Sequence, residues 1–128
     1  MIYHYPEEIF TLMKDEVNVR KAEKVYRLIV NSYPDTEIVS LRSCISLARK
    51  GDNYRKYATI TREGGNALLL HFPLEIRDKI NSNKVKFEKA KRYHNQINIR
   101  LEDITDVENL LDLIELAYNN PRKIRFTK

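Results

Sequence analysis

Apolar and polar positions alternate with period two through the middle of this chain and recur with helical period on either side of it. Within residues 38–48, Val39, Leu41, Ile45 and Leu47 are apolar and Ser40, Arg42, Cys44 and Ser46 alternate with them, which predicts one half-buried strand with Ser43 as its only exception. Residues 50–53 then read as a turn, residues 57–62 as a second strand, Gly64, Gly65 and Asn66 as a tight hairpin, and residues 67–72 as a third, more deeply buried strand. A fourth strand is predicted over residues 96–101, where Ile97, Ile99 and Leu101 alternate with Asn98 and Arg100.

The helical segments carry their own punctuation. Pro6 suits a first helical turn, and Ile9, Phe10, Leu12 and Met13 follow at helical spacing through Lys14. Asn18 is the expected N-cap of a longer helix in which Ala22, Val25, Tyr26, Ile29, Val30 and Tyr33 share one face, ended by Asn31, Ser32, Pro34 and Asp35. Pro73 opens a short amphipathic helix with Leu74, Ile76 and Ile80 inward. Residues 84–95 hold few apolar side chains, Val85, Phe87 and Ala90, and read either as an irregular connection or as a short helix. Thr105 and Glu108 have the spacing of a capping box, ahead of a helix that gathers Val107, Leu110, Leu111, Ile114, Ala117 and Tyr118 on one side. Asn119, Asn120 and Pro121 stop it, and residues 122–128 form a basic tail.

The resulting order, α-α-β-β-β-α-β-α, predicts an α+β fold. An antiparallel sheet of about four strands, a three-strand meander plus a late fourth, carries helices on one face. At 128 residues the chain fits one domain spanning its whole length.

Three stretches are similar to a small bacterial domain labelled "predicted transport protein", found at the end of restriction-associated chains. Residues 35–47, from Asp35 through Leu47, resemble its helix exit and first strand, and residues 57–72 its hairpin. Residues 97–101, with Asp106, Val107, Glu108 and residues 113–118, resemble its last strand and closing helix. The likeness covers about residues 25–119. That family has a connection with glycine and tryptophan before its last strand, whereas residues 84–95 here are basic and have neither. The resemblance implies a bacterial or phage protein, defence-associated in setting, and brings no agreed active site. Its transport label finds no counterpart, since a carrier needs spanning segments and no long apolar run occurs.

Charge sharpens the picture because of where it sits. The net charge is +5, yet residues 77–100 alone hold Arg77, Lys79, Lys84, Lys86, Lys89, Lys91, Arg92 and Arg100 against Asp78 and Glu88. The remainder of the chain is nearly balanced. Two sets place cations beside rings: Tyr54, Arg55, Lys56 and Tyr57, and Lys91, Arg92, Tyr93 and His94. Such sets can hold phosphates while stacking an unpaired base, although the same residues also make an ordinary solvated face with half-buried rings. Arg42 and Arg100 have the opposite parity from the apolar residues of their strands. On a shared sheet they would decorate one exposed, anion-binding face with Ser40 and Asn98.

Several chemistries find no support. No Asp-x-Lys or Glu-x-Lys occurs, so the acid and lysine that a restriction-type nuclease uses to hold its cation and orient water are missing. His4, His71 and His94 are far apart and lack zinc-site spacing, so no metal or cofactor is expected, and His71 reads as a strand residue satisfied by a neighbour. Cys44 is single, which excludes an internal disulfide and suggests a small packing residue. The N-terminal residues lack the layout of a secretory signal, so a cytoplasmic location is expected.

The sequence therefore predicts a non-catalytic module that contacts nucleic acid or an acidic protein through residues 84–100 and the turn at residues 54–57. The rival readings are a metal-independent ribonuclease of the small basic toxin type, with His94 or His71 moving protons and Arg92 or Arg100 steadying the phosphorane, and an interaction or inhibitor domain. In the last, Ile2, Tyr3 and Tyr5 would form a contact or homodimer surface.

Overall fold

A computed structural model describes residues 16–40, 44–49, 56–61, 66–89 and 95–120. The predicted first helix over residues 6–14, the turn at residues 50–53, Gly64, Gly65 and the basic tail lie outside them. The described elements are α1 (Glu16–Ser32), β1 (Thr36–Ser40), β2 (Cys44–Arg49), β3 (Lys56–Thr61), β4 (Ala67–His71), α2 (Leu74–Arg77), β5 (Glu88–Lys89), β6 (Gln96–Arg100) and α3 (Leu111–Asn119). Two 3-10 turns, Leu101–Asp103 and Val107–Leu110, lie between β6 and α3. The six strands form one sheet in the order β1-β2-β3-β4-β6-β5, and every neighbouring pair is antiparallel. The α+β class is as expected, with six strands instead of about four.

Both extra strands have physical explanations. Residues 38–48 are two strands of a hairpin, with Ile38 opposite Leu47 and Val39 opposite Ser46. Ile38 and Leu47 are an odd number of residues apart yet share a face, so parity reverses across the connection and Ile38, not Val39, packs against the core. Ser43, the residue that broke the alternation, lies outside the described residues, as do Leu41 and Arg42. The other extra strand, β5, is only two residues long, too short to show any alternation.

One face of the sheet is the core side. Reading across the strands, Leu47, Ala58, Leu70 and Ile97 make one row and Ile45, Ile60, Leu68 and Ile99 the next, all fully buried. Ala22, Val25 and Ile29 of α1, with Leu113, Ile114 and Ala117 of α3, close over them. Leu and Ile side chains of this size each contribute on the order of 2 kcal/mol when removed from water.

The opposite face is polar, but it is not the wet face that the alternation predicts. Thr59, Thr61, His71 and Gln96 are all buried there, His71 to 1% exposure, while Asn98 is half-buried. Burial is tolerable because these groups bond to one another: Thr59 Oγ1 lies 3.1 Å from His71 Nε2, and Gln96 Nε2 donates to Asn98 Oδ1 at 3.2 Å.

Two caps differ from expectation. Asn18 lies inside α1, which already runs from Glu16. The start of the last helix is capped by Asp106, whose Oδ1 accepts from the Glu108 amide at 3.0 Å. The helix opens with a 3-10 turn, Val107–Leu110, so the extended Asp106, one residue nearer than Thr105, is the side chain placed to reach the free amide.

Candidate nucleic-acid interface

The predicted interface residues separate into three environments. Tyr57 goes to the interior. The register between β2 and β3 slips between Leu47, paired with Ala58, and Ala48, paired with Lys56, so Tyr57 is an extra residue with no cross-strand partner of its own. Its ring is fully buried on the helix side, edge-on to Tyr33 with centroids 6.2 Å apart and to Tyr118 of α3 at 5.2 Å. Tyr33 and Tyr118 stack at 4.0 Å. A ring enclosed in this way offers no face to a nucleobase, so the stacking role expected of Tyr57 is replaced by a structural one.

The polar atoms of this cluster are committed as well. Thr36 Oγ1 donates its single proton to the Tyr33 carbonyl at 2.7 Å, so at the 2.7 Å contact between Thr36 Oγ1 and the Tyr57 hydroxyl the tyrosine is the donor. Burial above all pushes the Tyr57 hydroxyl well above its ordinary titration range, with Tyr118, Tyr33 and Asp35 adding to the rise. Tyr33 is raised too, by burial and then by Glu115 and Tyr118. The Tyr118 hydroxyl donates to both carboxylate oxygens of Asp35 at 3.1 and 3.2 Å. Arg49 donates to the Tyr118 carbonyl at 3.2 Å and holds its guanidinium 4.9 Å from the Tyr118 ring centroid.

The second environment is the β5 edge of the sheet. Val85 is buried in the core and Phe87 packs against it, so the residues alternating with them, Lys84 and Lys86, point outward into exposed positions. Ser82 fixes the start of this run by accepting from the Lys84 and Val85 amides at 3.2 and 3.3 Å. Lys89 of β5 is exposed beside the end of α2, donating to the Asp78 carbonyl at 3.4 Å, and Lys79 is exposed in the turn that follows α2. Lys84 meets Asp112 at 3.5 Å, but both side chains are more than half exposed, so solvent screens the pair. Among the described residues no carboxylate pairs with Lys79 or Lys86. These four exposed lysines make up the lysine strip of this edge, with Lys89 in the row of Ile97 that faces the helices and the exposed acids Asp78 and Glu88 among them. Lys79 joins it although its own segment reads as an ordinary amphipathic helix; its place became visible only when Lys89 was paired beside Asp78.

The third group is dispersed. Lys56 sits on β3, opposite Ala48, at the end of the sheet away from Arg100, which pairs with Ala67. Five residues of strand separate their rows, roughly 17 Å at about 3.3 Å per residue. Arg100 is exposed on the face opposite the helices and pairs with Glu102 at 3.6 Å. It shares that face with Asn98, as the alternation predicts, and the backbone of Ser40 pairs with Ile45. Arg42, Tyr54, Arg55, Lys91, Arg92, Tyr93 and His94 lie outside the described residues.

Other chemistry can be placed in the same frame. Among the described residues no group of three or more His, Cys, Asp or Glu could hold a metal ion. Cys44 is half-buried in β2, opposite Thr61. His71 is enclosed between strands and bonded to Thr59, so the proton-transfer role considered for it has no access to a substrate. No helix among the described residues is long and apolar enough to cross a membrane. No family model, no curated protein and no solved structure matches the chain.

Proposed function

We propose that this protein is a non-catalytic module that binds nucleic acid through phosphate contacts made by the β5 edge, with Lys79, Lys84, Lys86 and Lys89 as the contacting side chains. The observation that carries this reading is the alternation at residues 84–87, in which Val85 and Phe87 anchor the segment and Lys84 and Lys86 are thereby directed to solvent. Flexible lysines held as point charges on an anchored strand suit a run of phosphates and carry no base preference. An acidic protein surface is the rival ligand of the same strip.

The structural alternative is that lysines on a short edge strand only discourage sheet-to-sheet aggregation. Binding separates the two. Anisotropy of a labelled single-stranded oligonucleotide should rise on adding the protein at low salt, and the affinity should fall linearly on a log–log plot as salt increases. Its slope should be about −0.7 for each phosphate neutralised. Absence of binding to both RNA and DNA at low salt contradicts the proposal, and binding unchanged after Lys84, Lys86 and Lys89 are replaced by Gln contradicts the placement. The suggested likeness to a domain of restriction-associated chains is compatible with a ligand of this kind.

A further inference from the structure

The two edges of the sheet are built differently. The β5 edge is two residues long and both are charged, whereas β1, the other edge, is five residues, Thr36–Ser40, with Glu37 its only charged side chain. Short charged edges resist pairing with further strands and longer neutral ones invite it. From this asymmetry we infer that β1 is a pairing edge, and that its occupant is β1 of a second copy of this chain, joined antiparallel about Ile38.

Hydrogen-bond parity fixes which residues face outward. The Phe72 amide bonds to the Asn95 carbonyl and the Leu101 amide to the Asn66 carbonyl, so the even-numbered residues of β4 bond toward β6. Alternation carried through the registers of β3 and β2 then directs Glu37 and Val39 toward β2, and Thr36, Ile38 and Ser40 outward. Independently, the Thr36 amide is bonded back to the Tyr33 carbonyl at 3.0 Å, which places it off the β2 ladder, as the same parity requires.

An edge with this pattern is self-complementary. About a two-fold axis at Ile38, its amide and carbonyl exchange bonds with those of Ile38 in the second copy, and each Ser40 amide reaches the Thr36 carbonyl across the axis. In that register Glu37 lies opposite Val39 and the two carboxylates do not confront one another. The Ile38 side chains, which pack at the margin of each core, meet on the helix side and join the two cores.

Sedimentation equilibrium over a range of concentrations tests the inference, and two variants at one position test its register. Val39→Lys puts a lysine opposite Glu37 twice per dimer and should tighten association by roughly two- to thirty-fold. Val39→Glu puts a carboxylate there and should loosen it by a similar factor. Ser40→Pro removes only an outward amide and should weaken the dimer while the circular dichroism spectrum is retained, whereas Ser40→Ala should leave association unchanged. A monomer at every concentration up to the millimolar range overturns the inference. A dimer in which Val39→Lys and Val39→Glu act alike overturns the pairing about Ile38.

Discussion

The tyrosine cluster and the lysine strip began as the same kind of signal, cations beside rings in a basic chain, and the structure sends them to opposite fates. Around Tyr57 the hydroxyls of Thr36, Tyr57 and Tyr118 and the Arg49 guanidinium each have a protein partner. The Tyr57 hydroxyl donates to Thr36, Thr36 to the Tyr33 carbonyl, Tyr118 to Asp35, and Arg49 to the Tyr118 carbonyl. Along residues 79–89 the cations are exposed, and the two contacts they make, Lys84 with Asp112 and Lys89 with the Asp78 carbonyl, are long and solvated. The first region has spent its hydrogen-bonding capacity on joining α1, β1, β2, β3 and α3, and only the second keeps charge free for another molecule. A basic residue beside an aromatic one therefore indicates a binding surface only if the ring is not needed by the core.

That contrast can be broken at its strongest point by removing the Tyr57 ring. Tyr57→Ala should destabilise the protein by about 3–5 kcal/mol, the range for deleting a large buried aromatic side chain, as measured by urea unfolding. A loss below about 1 kcal/mol would mean that the cluster is not a tertiary joint. The subtler change Tyr57→Phe keeps the ring and removes the donor that Thr36 Oγ1 accepts, at an expected cost of about 0.5–1.5 kcal/mol.

The same hydroxyl gives a pH dependence with a definite sign. Tyr57 and Tyr33 both have raised pKa values in the folded state, so folding favours their protonated forms. Their contribution is fully present below the ordinary tyrosine value of about 10 and is lost as pH climbs through it toward the higher folded-state values. Unfolding midpoints recorded from pH 8 to 11.5 should fall at the alkaline end, and the Tyr33→Phe, Tyr57→Phe double variant should flatten that fall. An unchanged alkaline slope would contradict the burial that raises both hydroxyls.

The smallest expected effect on stability lies at the other region. Replacing Lys84, Lys86 and Lys89 by Gln should change unfolding free energy by no more than about 0.5 kcal/mol per site, because each side chain is exposed. The same replacement should reduce the salt slope of oligonucleotide binding by about two, at about 0.7 per lysine. A variant that unfolds instead would show that the strip belongs to the fold.

The sequence conveyed the strongly periodic parts well. Ile97 and Ile99 alternate with Asn98 and Arg100, and the side of the sheet each row faces follows from that alone. Ala22, Val25 and Ile29 marked the buried face of α1 for the same reason. What escaped was information held between strands. Ile38 and Val39 exchange faces because a connection inside one apparently continuous pattern reverses parity, which no count of alternating residues contains. Tyr57 turns inward because of a register slip opposite Leu47 and Ala48, a property of the pair and not of either strand. Lys79 became part of the candidate interface through the Lys89 contact with Asp78, a tertiary event. The buried Thr59, His71 and Gln96 show the same limit: polar character predicted a wet face, and mutual hydrogen bonds let the face be buried.

The most direct test of the division between the two regions is amide chemical-shift mapping of the isotope-labelled protein during titration with a short single-stranded oligonucleotide at low salt. Shifts confined to residues 79–89 and their neighbours on β6, with Tyr33, Tyr57 and Tyr118 unmoved, are the predicted result. Shifts centred on the tyrosine cluster, or a spectrum indifferent to the oligonucleotide, would contradict the account.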